Sequence, residues 1–180
     1  MTEVEVVTHL SVRTVGDADR LMEQVRLSAT RAHDWIAAQK GDPLNLLRRM
    51  KFEPIGFHPI EHRPLNLIEQ INQTWTYAVA IAAARQLLVL HPNAGGFHLA
   101  PGAHASLDLD IMSEVEGLVG AETFAAVTPR NNGKLAGDLA KLAARPELHR
   151  YVFFMSPLFP GNERWPQFEK NGIQVWSVDI

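Results

Sequence analysis

The chain has 180 residues, of which 46% are hydrophobic and 21% are charged, a composition that suits one globular domain with a sizeable core. Its 17 basic and 20 acidic residues give a net charge of −3, which argues against a protein held to nucleic acid by overall positive charge. The sequence contains no run of 18 apolar residues, no secretory leader pattern and no cysteine, so we expect a cytoplasmic protein without membrane spans, disulfides or thiolate metal sites.

Charge is distributed unevenly along the chain. Residues 103–142 hold six acids and three bases, whereas residues 40–51 hold four bases and one acid. An acidic centre beside a basic arm would suit a metal site next to a phosphate-holding surface. A solvated helix end explains the basic stretch at least as well.

The sequence from 1 to 60 predicts a mainly helical extension. A short Val-rich strand is expected within residues 4–15. Asp17 is the predicted N-cap of a first helix, which Gly41 ends. A second, shorter helix is predicted to start at Pro43, with Asp42 as its cap, and a proline-broken connector then leads to the main domain.

The main domain is predicted to cover residues 61–180. Its expected elements are a long helix at 65–92, strands at 95–100, 105–112 and 118–127, a helix at 131–145, and strands at 149–157 and 172–180. Three successive strands followed by a crossover helix and further strands predict an α/β fold with a mixed central sheet flanked by helices. Because Trp75, Tyr77, Phe153 and Phe154 lie in apolar runs, we expect them in the core.

Acidic residues mark the second and third strands of this domain. Asp108 and Asp110 alternate with apolar residues, a short acidic turn follows, and Glu122 lies 12 residues after Asp110 in a second apolar run. The two aspartates need no function if they face solvent. Glu122 requires a metal ion, a base such as Lys134 or Arg130, or a wet edge, because an unpaired buried carboxylate is costly.

This order of elements, with an aspartate ending the second strand and an acid in the third, resembles the PD-(D/E)XK, or restriction-endonuclease-like, nuclease superfamily. The resemblance covers residues 65 to 180 and implies cleavage of nucleic acid with Mg²⁺. It implies that Asp110 and Glu122 are metal ligands and catalytic residues, with Asp108 and Glu69 as further acidic ligands.

The chain departs from the family pattern at one position. The family carries a lysine two residues after the glutamate, whereas this chain has Phe124. Lys134, at the start of the next helix, is the nearest replacement, as in members that relocate the lysine. For Asp138 and Lys141, which follow at helical spacing, we expect a solvated face.

Two functions therefore stay open at the level of sequence. The first is a Mg²⁺-dependent nuclease that uses Asp110, Glu122 and Lys134. The second is a catalytically inactive pseudonuclease that serves as a binding or assembly module, which the missing lysine and the acidic total favour. A weaker third interpretation is a homodimer in which "HRYVFFMSPLF" at 149–159 forms an exposed apolar patch. The histidines, including His98 and His104 around a turn, are expected to be packed or solvent-facing rather than zinc ligands.

Overall fold

The computed structural model describes residues 9–102, 106–130 and 133–180. The helices are α1 (Val15–Ala37), α2 (Pro43–Phe52), α3 (Leu67–Leu90) and α4 (Lys134–Ala143). The strands are β1 (Leu10–Val12), β2 (Gly56–Phe57), β3 (Pro64–Leu65), β4 (Phe97–Leu99), β5 (Ile111–Ser113), β6 (Val119–Ala125), β7 (His149–Met155) and β8 (Gln174–Ser177). Among these helices none combines the length and apolar character needed to cross a bilayer.

A six-stranded mixed sheet in the order β1-β4-β5-β6-β7-β8 organises the fold. The pairs β1–β4, β4–β5 and β5–β6 are antiparallel, whereas β6–β7 and β7–β8 are parallel. Parallel neighbours need a crossover, which α4 supplies between β6 and β7. The predicted α/β class and the predicted order of elements in the main domain are therefore confirmed.

Each face of the sheet carries its own hydrophobic core. On one face, α1 and α3 cover buried sheet residues such as Phe97, Ile111 and Phe153. On the other face, α4 covers Phe124, Phe154 and Val175. Strand β6 has a neighbouring strand on both sides and is buried along most of its length, as its nearly continuous apolar sequence predicts.

The first 60 residues contribute directly to this architecture. Strand β1 pairs with β4 at the edge of the sheet, and α1 runs antiparallel to α3, with Ser28 near Gln70 and Asp19 near Arg85. The stretch 4–8 of the predicted strand lies outside the described residues, as does His104.

Several local predictions about these elements need correction. Thr14, and not Asp17, is the N-cap of α1, because Asp17 occupies the third helical position and completes a capping box with Thr14. Asp42 does cap α2, as predicted. The proline-broken connector leads through the short β2–β3 pair.

The predicted apolar patch at 149–159 is wrong for most of its length. Strand β7 lies between β6 and β8, and Tyr151 through Phe154 are buried. An apolar strand in the middle of a sheet has both faces covered, so its side chains form core and leave no continuous surface patch. The homodimer loses the surface on which it was based.

Candidate functional site

Strand β6 continues beyond the end of its partner β5. Their register pairs Ile111 with Ala121, so Asp110, which precedes β5, comes level with Glu122. Asp110 Oδ2 accepts hydrogen bonds from the backbone N–H of Thr123 at 2.8 Å and from the Thr123 hydroxyl at 2.9 Å. The Asp110 carboxylate thereby satisfies the Thr123 N–H on β6, which has no backbone partner because the pairing with β5 has already ended.

The segment before β5 bends instead of forming the longer strand that was predicted. Residues 106–110 are not in a strand, so the alternation of Asp108 and Asp110 does not place both on one face. Asp108 Oδ2 instead accepts a 2.8 Å hydrogen bond from Arg145, a residue that also binds Glu147. The structure therefore separates Asp108 from Asp110.

An open cavity of about 700 Å³ lies beside this end of β6. Residues that line it include Asn72, Trp75 and Thr76 from α3, Asp110, Glu122 and Phe124 at the sheet, and Lys134 and Lys141 from α4. Helices from the two faces of the sheet thus meet at one opening, together with the two carboxylates that the sequence singled out.

Glu122 is the most buried acid of the cavity, with only 4% of its side chain exposed. Its Oε1 accepts a 2.7 Å hydrogen bond from Lys141 Nζ, and its Oε2 lies 4.0 Å from Lys134 Nζ. Burial, and then the negative charge of Asp110, raise the pKa of Glu122 above its usual range, although Lys141 offsets part of the rise.

A second ion pair lies beside Glu122. Lys134 Nζ donates to Asp138 Oδ1 at 2.6 Å, and the Asp138 carboxylate is buried. Burial raises the pKa of Asp138, although Lys134 opposes the rise. Burial alone would lower the pKa of Lys134, but its hydrogen bond to Asp138 and the nearby carboxylate charges raise it. Asp138 Oδ2 is buried without a hydrogen-bond partner among the described residues.

We refer to Asp110, Glu122, Lys134, Asp138 and Lys141 as the carboxylate–lysine cluster. It contains three acids and two bases, so one negative charge is left uncompensated when all five are ionised. The expectation of a solvated face is wrong for Asp138, which is buried, whereas Lys141 remains half exposed while it reaches Glu122. Positions four and three apart share one side of a helix, and in α4 that side borders β6 at the rim of the cavity.

Lys141 and Asp138 are the members of this cluster that the sequence argument did not assign to the site. A usable signal was present, because Lys134, Asp138 and Lys141 recur at spacings of four and three beside the apolar stripe of α4. The stripe predicts which side of α4 packs on the sheet, but it does not predict how close the flanking side chains come to Glu122.

Position 124 shows why this chain has no lysine two residues after its glutamate. Phe124 is 7% exposed, and its ring stacks on that of Phe154 at a centroid distance of 5.9 Å. An ammonium at this position would be buried against aromatic rings, at a large desolvation cost. The positive charge near Glu122 comes instead from α4.

Two other predicted partners lie elsewhere. Glu69 is exposed in the first turn of α3 and is not among the residues that line the cavity. The Arg130 guanidinium lies over the Phe168 ring, 5.0 Å from its centroid, so Glu122 pairs with lysines and not with Arg130.

Trp75 also departs from its prediction. The residue is 41% exposed and lines the cavity, whereas Phe153 and Phe154 are fully buried, as expected. Ile68 and Ile71, in the same N-terminal half of α3, are likewise 44% and 43% exposed, so one side of this half faces solvent.

Within the described parts of the chain, no three His, Asp or Glu side chains are arranged to hold a metal ion by themselves. Comparisons with protein-family models, with curated proteins and with solved structures found no match for this chain.

Proposed function

We propose that this protein is a Mg²⁺-dependent nuclease of the restriction-endonuclease-like, PD-(D/E)XK type, which hydrolyses phosphodiester bonds in nucleic acid. The observation that carries the proposal is the meeting of Asp110, Glu122 and two lysines at one open cavity. Fold alone does not imply activity, so the proposal depends on this site.

The topology supports the proposal. The chain has a helix, a meander of three antiparallel strands, a second helix and a strand parallel to the third. The glutamate inside the third strand agrees with the pattern that the resemblance implies, whereas Asp110 lies immediately before the second strand and not at its end.

The residues of the cavity fit a hard divalent cation. Magnesium is commonly held by one or two carboxylates and completed by water and substrate phosphates, so the two carboxylates of Asp110 and Glu122 are a sufficient protein contribution. Burial, and then the negative charge of Asp110, raise the pKa of Glu122, and a cation held between the two carboxylates would offset this cost.

Each side chain of the cluster has a distinct proposed role. Asp110 and Glu122 supply oxygen ligands, and a bound Mg²⁺ would polarise the scissile phosphate and acidify a water molecule. Lys141 is half exposed, so its ammonium can reach from Glu122 into the cavity and stabilise charge that develops on the phosphate. Asp138 holds Lys134 at 2.6 Å and thus positions a second ammonium 4.0 Å from Glu122.

Metal binding is the first test. Titration of the native chain with Mg²⁺ or Mn²⁺ in a calorimeter should show binding, and the isosteric variants Asp110→Asn and Glu122→Gln should each lose it. Because a ligand must be deprotonated and the pKa of Glu122 is raised, affinity should fall on acidification at a higher pH than for an ordinary glutamate. Retention of native affinity in both variants would contradict the assignment of the ligands.

Cleavage separates the roles of the lysines. With single-stranded and duplex substrates and Mg²⁺, Lys141→Met should lower the cleavage rate by about 10²-fold or more while metal binding persists. Lys134→Met should have a smaller effect, since its amine lies farther from Glu122. Lys40→Met, at an exposed position, is the matched control and should cleave normally.

A binding module without catalysis is the second candidate. It is favoured by the fact that both carboxylates already have protein partners, Lys141 on Glu122 and Thr123 on Asp110. In that case the native chain would not bind metal and would not gain activity with it, even with nucleic acid present. Lys141→Met would then lower the free energy of unfolding and would change no cleavage rate.

A further inference from the structure

One wall of the cavity is aromatic. Trp75 extends from α3 into the lining, and its side chain is substantially exposed in spite of its size. Buried tryptophan stabilises a core, but an exposed indole beside a polar cavity leaves a flat apolar surface in contact with water. Asn72, about one turn before Trp75, and Thr76, the next residue along the helix, add hydrogen-bonding groups to the lining.

The same cavity offers few free cations. Lys134 and Lys141 are the basic residues among the described ones that line it, and both are hydrogen-bonded to carboxylates. Proteins that bind duplex DNA obtain most of their affinity from basic groups along the phosphate backbone. This surface therefore has few basic groups that could contact the phosphates of a double helix.

We infer that the cavity takes single-stranded nucleic acid and that a base of the strand stacks on Trp75. The inference rests on the proposed function, since it names the substrate class of the same site. Bases in a duplex are stacked on one another and present no face to a side chain, whereas an unpaired base exposes its π surface to an aromatic ring. A cavity of about 700 Å³ is in the size range that encloses a small molecule, which corresponds to about one or two nucleotides.

This inference predicts a weak dependence of affinity on salt. Two lysines border the cavity among the residues that the structure describes, so the salt dependence should correspond to no more than about two phosphate contacts. A protein that binds through a basic groove would show a much steeper dependence. Stacking, in contrast, is tolerant of both sequence and salt, because every base has an aromatic face.

The test is direct binding without cleavage. Fluorescence anisotropy would follow a labelled single strand of about 12 nucleotides, and the same strand annealed to its complement, with full-length protein in a chelating buffer. All chains compared carry Glu122→Gln, because this substitution removes a negative charge near the phosphates. We expect the single strand to bind more tightly than the duplex, and Trp75→Ala to weaken single-strand binding by about 5- to 100-fold.

Two further variants keep the test falsifiable. Trp75→Phe retains an aromatic face and should recover most of the affinity that Trp75→Ala loses. Val89→Ala alters an exposed residue on the same helix, about 21 Å further along, and should bind like its parent. Duplex binding as tight as single-strand binding, no binding of the single strand, or unchanged affinity in Trp75→Ala would each overturn the inference.

Failure of the two proposals can be told apart. Binding is measured without divalent cation, so it does not depend on catalysis. Mg²⁺-dependent cleavage that is insensitive to Trp75→Ala would contradict the stacking role of Trp75 and support the proposed nuclease activity. Single-strand binding that requires Trp75, with no cleavage at any metal concentration, would contradict the proposed nuclease activity and support single-stranded nucleic acid as the ligand.

Discussion

At the scale of single residues, Glu122 carries a buried charge that costs the fold stability. Its carboxylate is almost fully buried, beside a second acid, in a strand whose other residues are mainly apolar. A buried charge is destabilising unless its partners compensate fully, and here the direction of the pKa shift shows that compensation is incomplete. Residues that cost stability in this way are concentrated at functional sites.

The first prediction concerns the stability of Glu122→Gln. Because the folded-state pKa is raised, ionisation of Glu122 destabilises the fold at neutral pH, and this cost disappears as pH falls through the raised pKa toward the unfolded value. We expect the variant to be more stable than the native chain by about 1 kcal/mol near neutral pH, with the difference shrinking in acid. Urea denaturation at several pH values measures this.

Glu23→Gln is the control for that measurement. Glu23 is exposed on α1, so its replacement should leave the free energy of unfolding unchanged at every pH. A less stable Glu122→Gln chain at neutral pH would mean that the hydrogen bond with Lys141 outweighs the cost of burial.

His58 supports a second prediction at the same scale. The ring is 2% exposed, and its Nδ1 accepts hydrogen bonds from the backbone N–H groups of Ile60 and Glu61 at 3.3 and 3.0 Å. Burial lowers the pKa of His58, which keeps the ring neutral in the fold. Stability should therefore fall as pH drops below the ordinary histidine value of about 6.5.

His58→Asn should reduce this loss in acid, because an amide oxygen can accept the same backbone hydrogen bonds without taking up a proton. His62→Asn is the matched control, since His62 is exposed and asparagine tolerates its left-handed backbone. Thermal unfolding between about pH 7 and pH 5 compares the three chains. Equal acid sensitivity of the native chain and His58→Asn would contradict the assignment.

At the scale of elements, the site depends on strands of unequal length. The β5–β6 pairing is short, so the part of β6 that contains Glu122 has no strand partner on the β5 side, and Asp110 lies beside it. Sequence periodicity predicted that both strands exist, but it made β5 too long because residues 105–110 alternate like a strand. The chain bends at residues 106–110 instead of extending β5, because the Asp110 side chain satisfies the Thr123 N–H that a longer strand would otherwise pair.

Gln70 joins three elements and provides the element-scale prediction. Its Nε2 donates to the carbonyl and hydroxyl of Ser28 on α1, at 3.0 and 2.9 Å, and its Oε1 accepts from Phe57 N–H on β2 at 3.1 Å. Gln70→Leu would leave these buried groups without partners and should cost about 2 to 3 kcal/mol in the free energy of unfolding. The loss should appear in chemical denaturation.

The matched control for that variant is Gln24→Leu. Gln24 is exposed on α1, so the same chemical change should cost almost nothing there. If the two variants lost equal stability, the effect would come from the added leucine and not from the lost hydrogen bonds.

At the scale of the whole molecule, β1 and α1 in the N-terminal part of the chain belong to the core. Ala18 and Val25 of α1 are buried in the same cluster as Ala78 and Ile81 of α3, and β1 completes the sheet. The small residues in the middle of α3 allow close packing against both α1 and the sheet, so this part of the helix is buried all round.

We therefore predict that a chain beginning at residue 61 does not fold cooperatively. Removal of α1 would expose the apolar surface of α3, and removal of β1 would open the edge of β4. Calorimetry should show no sharp unfolding transition, and a hydrophobic dye should bind. A truncated chain with a sharp transition and no dye binding would establish the extension as separable.

Sequence alone determined the class of the fold and two of the acids at the site. Hydrophobic periodicity, proline and glycine positions specify helices and strands locally, and the order of those elements restricts how they can assemble. Only the tertiary structure decided which side chains meet. It placed Lys141 on Glu122, moved Asp108 to Arg145 and opened Trp75 to the cavity, because such contacts depend on where each strand ends and how α3 and α4 lie against the sheet.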